Sequence, residues 1–183
     1  MPTDMSMHRL ETERLLLERL RPEHRDELGR MHRDPQVMAT LGGVRSPQET
    51  ERVLAECDLH WEQHGFGLWA ARIKVSGLFA GRGGLKHTSI GERDEVEVAY
   101  ALLPQHWGQG LATELAVASV RTGFDLLHRP DLVCFTLTTN RASQRVMEKV
   151  GFRYERDVIH AGLPHVFYRL TASAWRGMAI AGG

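Results

Sequence analysis

The residues with the clearest chemical content stand together as Gln105-His106-Trp107-Gly108-Gln109-Gly110-Leu111-Ala112-Thr113, between a strand-like run and a helix-like run. Glycines at 108 and 110 let main chain approach a ligand with no side chain in between. A helix starting at Leu111 points its unpaired N–H groups and its positive dipole end at that loop. Such an end is an anion site, and it suits a pyrophosphate. The spacing narrows the choice of anion. A Walker loop needs Lys-Ser/Thr after its last glycine, and Leu111-Ala112 stands there instead, which speaks against ATP and GTP. A dinucleotide fingerprint needs a third small residue three positions on, where Thr113 fits poorly. No acidic residue follows a next strand at a suitable place, and the loop comes late in the fold. On the two glycines alone, an ordinary glycine-rich turn remains open.

The elements that must position this loop are legible on both sides. Before it, Glu95 to Leu103 reads as a strand whose period of two puts Glu95, Glu97, Ala99 and Ala101 on one face. Val96, Val98, Tyr100 and Leu102 share the other, so one face is packed and the other carries two carboxylates. After it, Leu111 to about His128 spaces Ala116, Val120, Phe124 and Leu127 as a helix. Asp131 to Thr138 is a β-branched and aromatic strand. Asn140 caps the next helix and Gly151 stops it. Upstream, Thr12–Leu20, Leu68–Val75 and Leu78–Lys86 read as strands, the last two joined at Ser76-Gly77. Pro22–Arg33 and Ser46–His64 read as helices around a Pro35–Ser46 loop. Phe152–His160 and His165–Leu170 are two final strands around Ala161-Gly162-Leu163-Pro164, and Ala179–Gly183 reads as a frayed tail. This order predicts an α/β or α+β fold with a mixed sheet and helices on both faces.

Composition fits one domain over residues 1–183, with a core of about residues 8–176. The chain has 183 residues, 42% of them apolar and 25% charged, and its length needs no disulfide or metal to stabilise a core. Twenty-three basic and 23 acidic residues cancel, so no nucleic-acid partner is expected. No apolar run reaches membrane-spanning length, so no membrane partner is expected. The acidic residues within Met1–Leu20 break up any signal-peptide core. Cys57 and Cys134 form no CxxC pair and read as thiols of a reducing cytoplasm.

A second segment, N-x-x-S-x-x-x-x-x-K-x-G-F from Asn140 to Phe152, follows the loop motif Q-x-x-G-x-G-x-A of Gln105 to Ala112. Together they resemble the GNAT acetyltransferase family. The opening ETERLLLERL, the run EVAYALLP and the closing VFYRLTASAW are similar to its RimJ/RimL-like branch. The resemblance runs from Leu10 to Trp175. It implies the family's acyltransferase fold, in which a central mixed sheet splays, and acetyl-CoA as cosubstrate without a metal. Its pyrophosphate would be held by main-chain N–H groups of Gly108, Gln109, Gly110, Leu111, Ala112 and Thr113. The pantetheine arm would pass Leu102 and Leu103, with Asn140 hydrogen-bonded to it.

The same resemblance implies direct transfer of an acetyl group to a primary amine of a protein N-terminus or a small molecule. That molecule would be an aminoglycoside, polyamine or amino-acid derivative. Glu97 is the expected general base, with Glu95 as its rival, and a main-chain N–H near Val98 to Tyr100 would stabilise the thioester oxygen. Many relatives place a tyrosine seven residues after the asparagine to protonate the leaving thiolate. Met147 stands there, so Ser143 takes that expectation. The acceptor pocket is expected from the Pro35–Ser46 loop, the helix after it and the Ala161–Pro164 turn. Arg45 would meet an acidic acceptor and Glu95 a basic one. The family resemblance also leaves room for a homodimer.

Two other readings stay open at the level of sequence: a CoA-binding sensor or regulator with little turnover, suggested by Met147, and an interaction module whose glycine loop is only a turn. Cys57, His60 and His64 have spacing for zinc but read better as a polar helix face. His160 and His165 read as exposed loop residues. Tyr100, Tyr154 and Tyr168 read as packing residues, and Trp107 as a cofactor cover or a turn anchor.

Overall fold

Alternating burial along the strands produces one sheet with two covered faces. The computed structural model describes residues 7–181, with side chains through 178. Its strands are β1 (Arg9–Glu11), β2 (Leu15–Arg19), β3 (Leu68–Ile73), β4 (Phe79–Ile90), β5 (Arg93–Leu102), β6 (Asp131–Leu137), β7 (Arg153–His160) and β8 (Leu163–Thr171). They form an eight-stranded sheet in the order β1-β2-β3-β4-β5-β6-β8-β7. The helices are α1 (Arg25–Arg33), α2 (Pro35–Met38), α3 (Pro47–His64), α4 (Leu111–Arg121), α5 (Arg141–Val150) and α6 (Ala172–Ala181). Helices α4 and α5 cover one face, where Leu111, Leu115, Val120, Phe124 and Met147 meet Val96, Val98 and Leu102. Full burial of each such side chain is worth roughly 1.5–3 kcal/mol. Helices α1 to α3 cover part of the other face with Leu28, Met31, Met38 and Leu54. The mixed sheet with helices on both faces agrees with the sequence reading.

Local signals explain the helix ends. Ser46 accepts from Glu49 N–H while the Glu49 carboxylate accepts from Ser46 N–H, a capping box that starts α3. Asn140 caps α5 and Gly151, at φ +107°, ends it. Five expectations need correction. The Pro35–Ser46 loop contains α2, whose first turn is capped by Asp34 Oδ1. The helix after the glycine loop is α-helical only to Arg121 and finishes as a π turn over Thr122–Leu126. β4 runs on past Lys86 to Ile90 because its polar end is paired throughout with β5. The last turn is the pair Ala161-Gly162, both at positive φ as a two-residue hairpin requires. Leu163 and Pro164 already belong to β8. The tail expected to fray is helical through Ala181, and Gly182 and Gly183 lie outside the described residues.

The feature that positions the site is a gap inside the sheet. β5 and β6 run parallel and meet at a single register pair, Glu97 with Val133. The next link across the gap is the Cys134 thiol, which donates to the Val98 carbonyl at 3.0 Å.

Candidate active site

Main-chain alternation decides which groups line the gap. Leu103 N–H donates to Ala80 O of β4, so the odd-numbered peptides of β5 face β4 and the even-numbered ones face β6. On that edge the Val98 carbonyl accepts from Cys134 and the Leu102 carbonyl from Trp107 Nε1 at 2.7 Å. The Tyr100 peptide lies between them, turned toward the opening.

The glycine loop sits at the end of the gap. Gly108 and Gly110 have φ of +72° and +79°, a region L side chains rarely adopt. Gly110 is the N-cap of α4 and no side chain caps the helix. The N–H groups of Leu111, Ala112 and Thr113 therefore have no intrahelical or capping partner. A Cβ on Gly108 would meet nothing within 4 Å, so the space above it is open. Arg14 steadies this loop, donating from Nη1 to Gln109 O at 2.8 Å and from Nε to Glu114 Oε2 at 2.7 Å. Trp107 anchors the turn through its indole N–H while its ring stays 49% exposed. An uncapped helix end behind the open Gly108, joined to a splayed sheet, has the donors and the room for a diphosphate on an extended arm.

The face that carries the two carboxylates is buried as well as the packed one: Glu95 is 6% exposed and Glu97 7%. The two carboxylates differ in what holds them. Glu95 accepts from Arg169 Nη2 at 2.8 Å and Nη1 at 3.0 Å. That guanidinium also binds Asp131 and Glu155, and the Glu95 bonds above all raise the Arg169 pKa. Glu95 is thereby committed to structure and does not present itself to a basic acceptor. Glu97 Oε2 is buried with no hydrogen-bond partner among the described residues. Lys86 Nζ, opposite it in register, lies 3.3 Å away as an ion pair without hydrogen-bond geometry.

On the other face, Asn140 Oδ1 accepts from Ser143 N–H at 3.2 Å and its Nδ2 donates to Thr136 Oγ1 at 3.0 Å. The asparagine is thus a helix cap, with one Oδ1 lone pair and one Nδ2 hydrogen uncommitted. Ser143 Oγ lies 2.9 Å from the Tyr100 hydroxyl. Met147 is 1% exposed within the core. Tyr100, read from sequence as packing, therefore carries a hydroxyl to the α5 N-terminus. Burial raises its pKa well above the ordinary value and keeps the phenol protonated, and burial does the same to Cys134.

Other candidates fall elsewhere. His60 Nδ1 is 2.9 Å from Phe66 O, and its Nε2 accepts from His87 N–H at 3.0 Å. Those bonds fix a neutral tautomer and leave no lone pair for zinc. No cluster of three or more metal-ligating side chains occurs among the described residues. His165 is buried and His160 half-buried, both packed around Phe135 with ring centroids 5.7 Å and 4.9 Å away. They are not the exposed loop residues expected. Among the described residues no helix is long and apolar enough to cross a membrane. Sequence reasoning missed Lys86, Tyr100 and Arg14. Only the period of two in β5 hinted at Tyr100, and nothing local marked the other two.

The comparisons with known proteins agree with this geometry. The family profile described as an acetyltransferase (GNAT) domain matches residues 14–153. The chain is 31% identical to the FsC-acetyl coenzyme A-N(2)-transacetylase of Aspergillus fumigatus, covering 92% of this chain and 78% of that one. Among solved structures it resembles a GnaT-family acetyltransferase of Bordetella pertussis, with TM-score 0.78 and 25% identity over 88% of this chain and 98% of the other. It resembles equally an acetyltransferase of Agrobacterium tumefaciens, with TM-score 0.78 and 26% identity over 90% and 95% of the two chains. With a profile spanning most of the chain and a splayed sheet ending at an uncapped helix, the protein belongs to the GNAT acetyltransferase family.

Proposed function

We propose that this enzyme transfers an acetyl group from acetyl-CoA directly to a primary amine of a small molecule or a protein N-terminus. The observation that carries the reading is the contrast between its two buried carboxylates: Glu95 is locked by Arg169, while Glu97 Oε2 is free to accept a proton. Acetyl-CoA, the cosubstrate of the family, supplies the acetyl thioester. The N–H groups from Gly108 to Thr113 bind its diphosphate, and Leu102, Leu103 and the uncommitted polar atoms of Asn140 guide its arm. Assignment to the RimJ/RimL-like branch rests on the opening ETERLLLERL, the run EVAYALLP before the loop and the closing VFYRLTASAW.

An ammonium has no lone pair with which to attack. Glu97 takes its proton, directly or through a water, and the nitrogen then forms its bond to the acetyl carbon. The Tyr100 N–H, turned toward the gap, stabilises the charge that grows on the thioester oxygen; one such donor is typically worth about 3 kcal/mol. As the carbon–sulfur bond breaks, the nitrogen sheds its second proton on becoming an amide, and Ser143 Oγ relays that proton to the departing sulfur while the Tyr100 hydroxyl, 2.9 Å away, holds the serine in place and stays protonated. This pair stands in for the tyrosine that Met147 replaces, which weakens the case for a silent CoA sensor.

The test pairs acetyl-CoA binding with turnover. Acetyl-CoA should raise the melting temperature, and an amine panel should release free CoA thiol in step with acetylated product. Stabilisation without thiol release on any amine would point to the sensor, and no stabilisation at saturating acetyl-CoA would overturn the reading altogether.

A further inference from the structure

Two of the four buried polar atoms without a partner among the described residues are Glu97 Oε2 and Arg82 Nε. They belong to one cleft. In the β4–β5 pair Lys86 lies opposite Glu97 and Arg82 opposite Ala101, so the period of two puts Arg82, Lys86 and Glu97 on one face. This is the face that α1 to α3 leave partly open, since Ala99, Ala101 and Cys57 pack at the edge of their core.

Charge in this cleft does not balance. Glu97 is the carboxylate within electrostatic reach of Arg82, and among the described residues no carboxylate forms an ion pair with its guanidinium. Arg45 joins it from the loop before α3, where its guanidinium lies 3.4 Å from both Leu41 O and His32 Nε2 and has the exposed Glu49 as its carboxylate within electrostatic reach. Lys86 adds a third cation beside Glu97. His32 registers the same field: burial first, then Arg45 and Arg82, lower its pKa to about 4. The Cys57 thiol nearby is held neutral by burial and supplies no counter-charge. A guanidinium cannot shed its proton to escape such a place. Unpaired buried groups of this kind call for a partner, and a bound anion would supply one.

We propose that the acceptor is an amine that also carries an anionic group, a carboxylate or a phosphate, held by Arg82 and Arg45 while its amine lies at Glu97. This rests on the reading of the site as an amine acetyltransferase and selects among its acceptors. Polyamines and aminoglycosides would bring more positive charge to a cleft where two arginines and a lysine already outnumber the Glu97 carboxylate. Amino-acid derivatives and acidic peptide ends would relieve them. Four residues of paired strand, about 13 Å of backbone, separate Glu97 from the position opposite Arg82, and the arginine side chain spans part of that. Amine and anion should therefore stand several bonds apart in the acceptor.

The experiment compares matched acceptors in the whole enzyme. An ω-amino carboxylate, its carboxamide and the corresponding amino phosphate are assayed for acetylated product in the wild type, R82M, R82K and R45M. Their binding is also measured by calorimetry with CoA present, which needs no turnover. One or both anionic acceptors should exceed the carboxamide in kcat/KM by roughly 10- to 100-fold, mostly through KM. The carboxylate and phosphate arms identify the anion. R82M should collapse that ratio toward 1, R82K should restore part of it, and R45M should reduce it. Because Arg82 has no hydrogen-bond or ion-pair partner among the described residues, R82M should melt no lower than the wild type. Equal or better use of the carboxamide, or a ratio that R82M leaves intact, would overturn the inference while leaving acetyl transfer standing. Arg82-dependent binding of the anionic amine without acetylation would uphold the inference and remove the transferase reading.

Discussion

Replacing Glu97 by glutamine keeps its shape and removes a carboxylate oxygen that, among the described residues, has no hydrogen-bond partner. Glu95 cannot take over, because a guanidinium fork 2.8 Å and 3.0 Å away already occupies it. The variant must therefore wait for acceptor that is already deprotonated. An amine with a pKa of about 10.4 is free in about one part in 2,500 at pH 7, whereas an α-amine near 8 is free in about one part in ten. The expected loss in kcat/KM at pH 7 is thus about 10³-fold for a lysine-like acceptor and about tenfold for an α-amine. It should shrink about tenfold per pH unit as the acceptor's own pKa is approached. The ion pair with Lys86 is 3.3 Å long and its ammonium partly exposed, so its loss should cost about 1 kcal/mol or less. Rates of CoA release across pH 6 to 10, with the dissociation constant of CoA as control, make the assay. A constant ratio of variant to wild type at every pH, or an equal loss for both amines, would refute Glu97 as the base.

Three further outcomes follow from the same geometry. Removing the hydroxyl in Tyr100→Phe breaks a 2.9 Å contact with Ser143. If the two act as one unit, Y100F and S143A should lower single-turnover rates by similar factors and their double variant by little more, whereas multiplying losses would separate them. Gly108→Ala places a side chain at φ +72° and over the open diphosphate path. It should cost about 1–2 kcal/mol in stability and weaken acetyl-CoA binding in calorimetry. His32 has an unfolded pKa of 6.5 and a folded one of about 4. The unfolded chain takes up the proton first, so this group's share of stability is lost as pH falls through 6.5 and is gone below 4. The share is about 3 kcal/mol, and denaturant midpoints of His32→Asn should depend less steeply on pH over that window.

What the sequence disclosed was local and periodic. The run Glu95 to Leu103 showed its two faces because side chains alternate on any strand. The glycine loop and both ends of α5 showed themselves through glycine, asparagine and the helix that follows. The burial of Glu95 and Glu97 did not show, because it arises from the fold around them; Glu95, for one, is held by Arg169, 74 residues away in the chain. Arg82 sits in a strand among glycines, and only folding reveals that its Nε is buried with no hydrogen-bond partner among the described residues. Tyr100 illustrates the same limit. Its place on the packed face was readable, yet its hydroxyl gains chemical meaning only when α5 brings Ser143 to it. Some missed elements carried signals. Asp34-Pro35 is a cap and first turn for α2, and Thr171 Oγ1 accepts from Ala174 N–H at the start of α6.

The most direct test of the account is a crystal structure of the enzyme grown with acetyl-CoA. The diphosphate should accept from the N–H groups of Gly110 to Thr113 at about 3 Å, with the arm in the gap between β5 and β6 and the acetyl group facing Glu97. A diphosphate bound elsewhere, or an acetyl group turned away from that carboxylate, would contradict it.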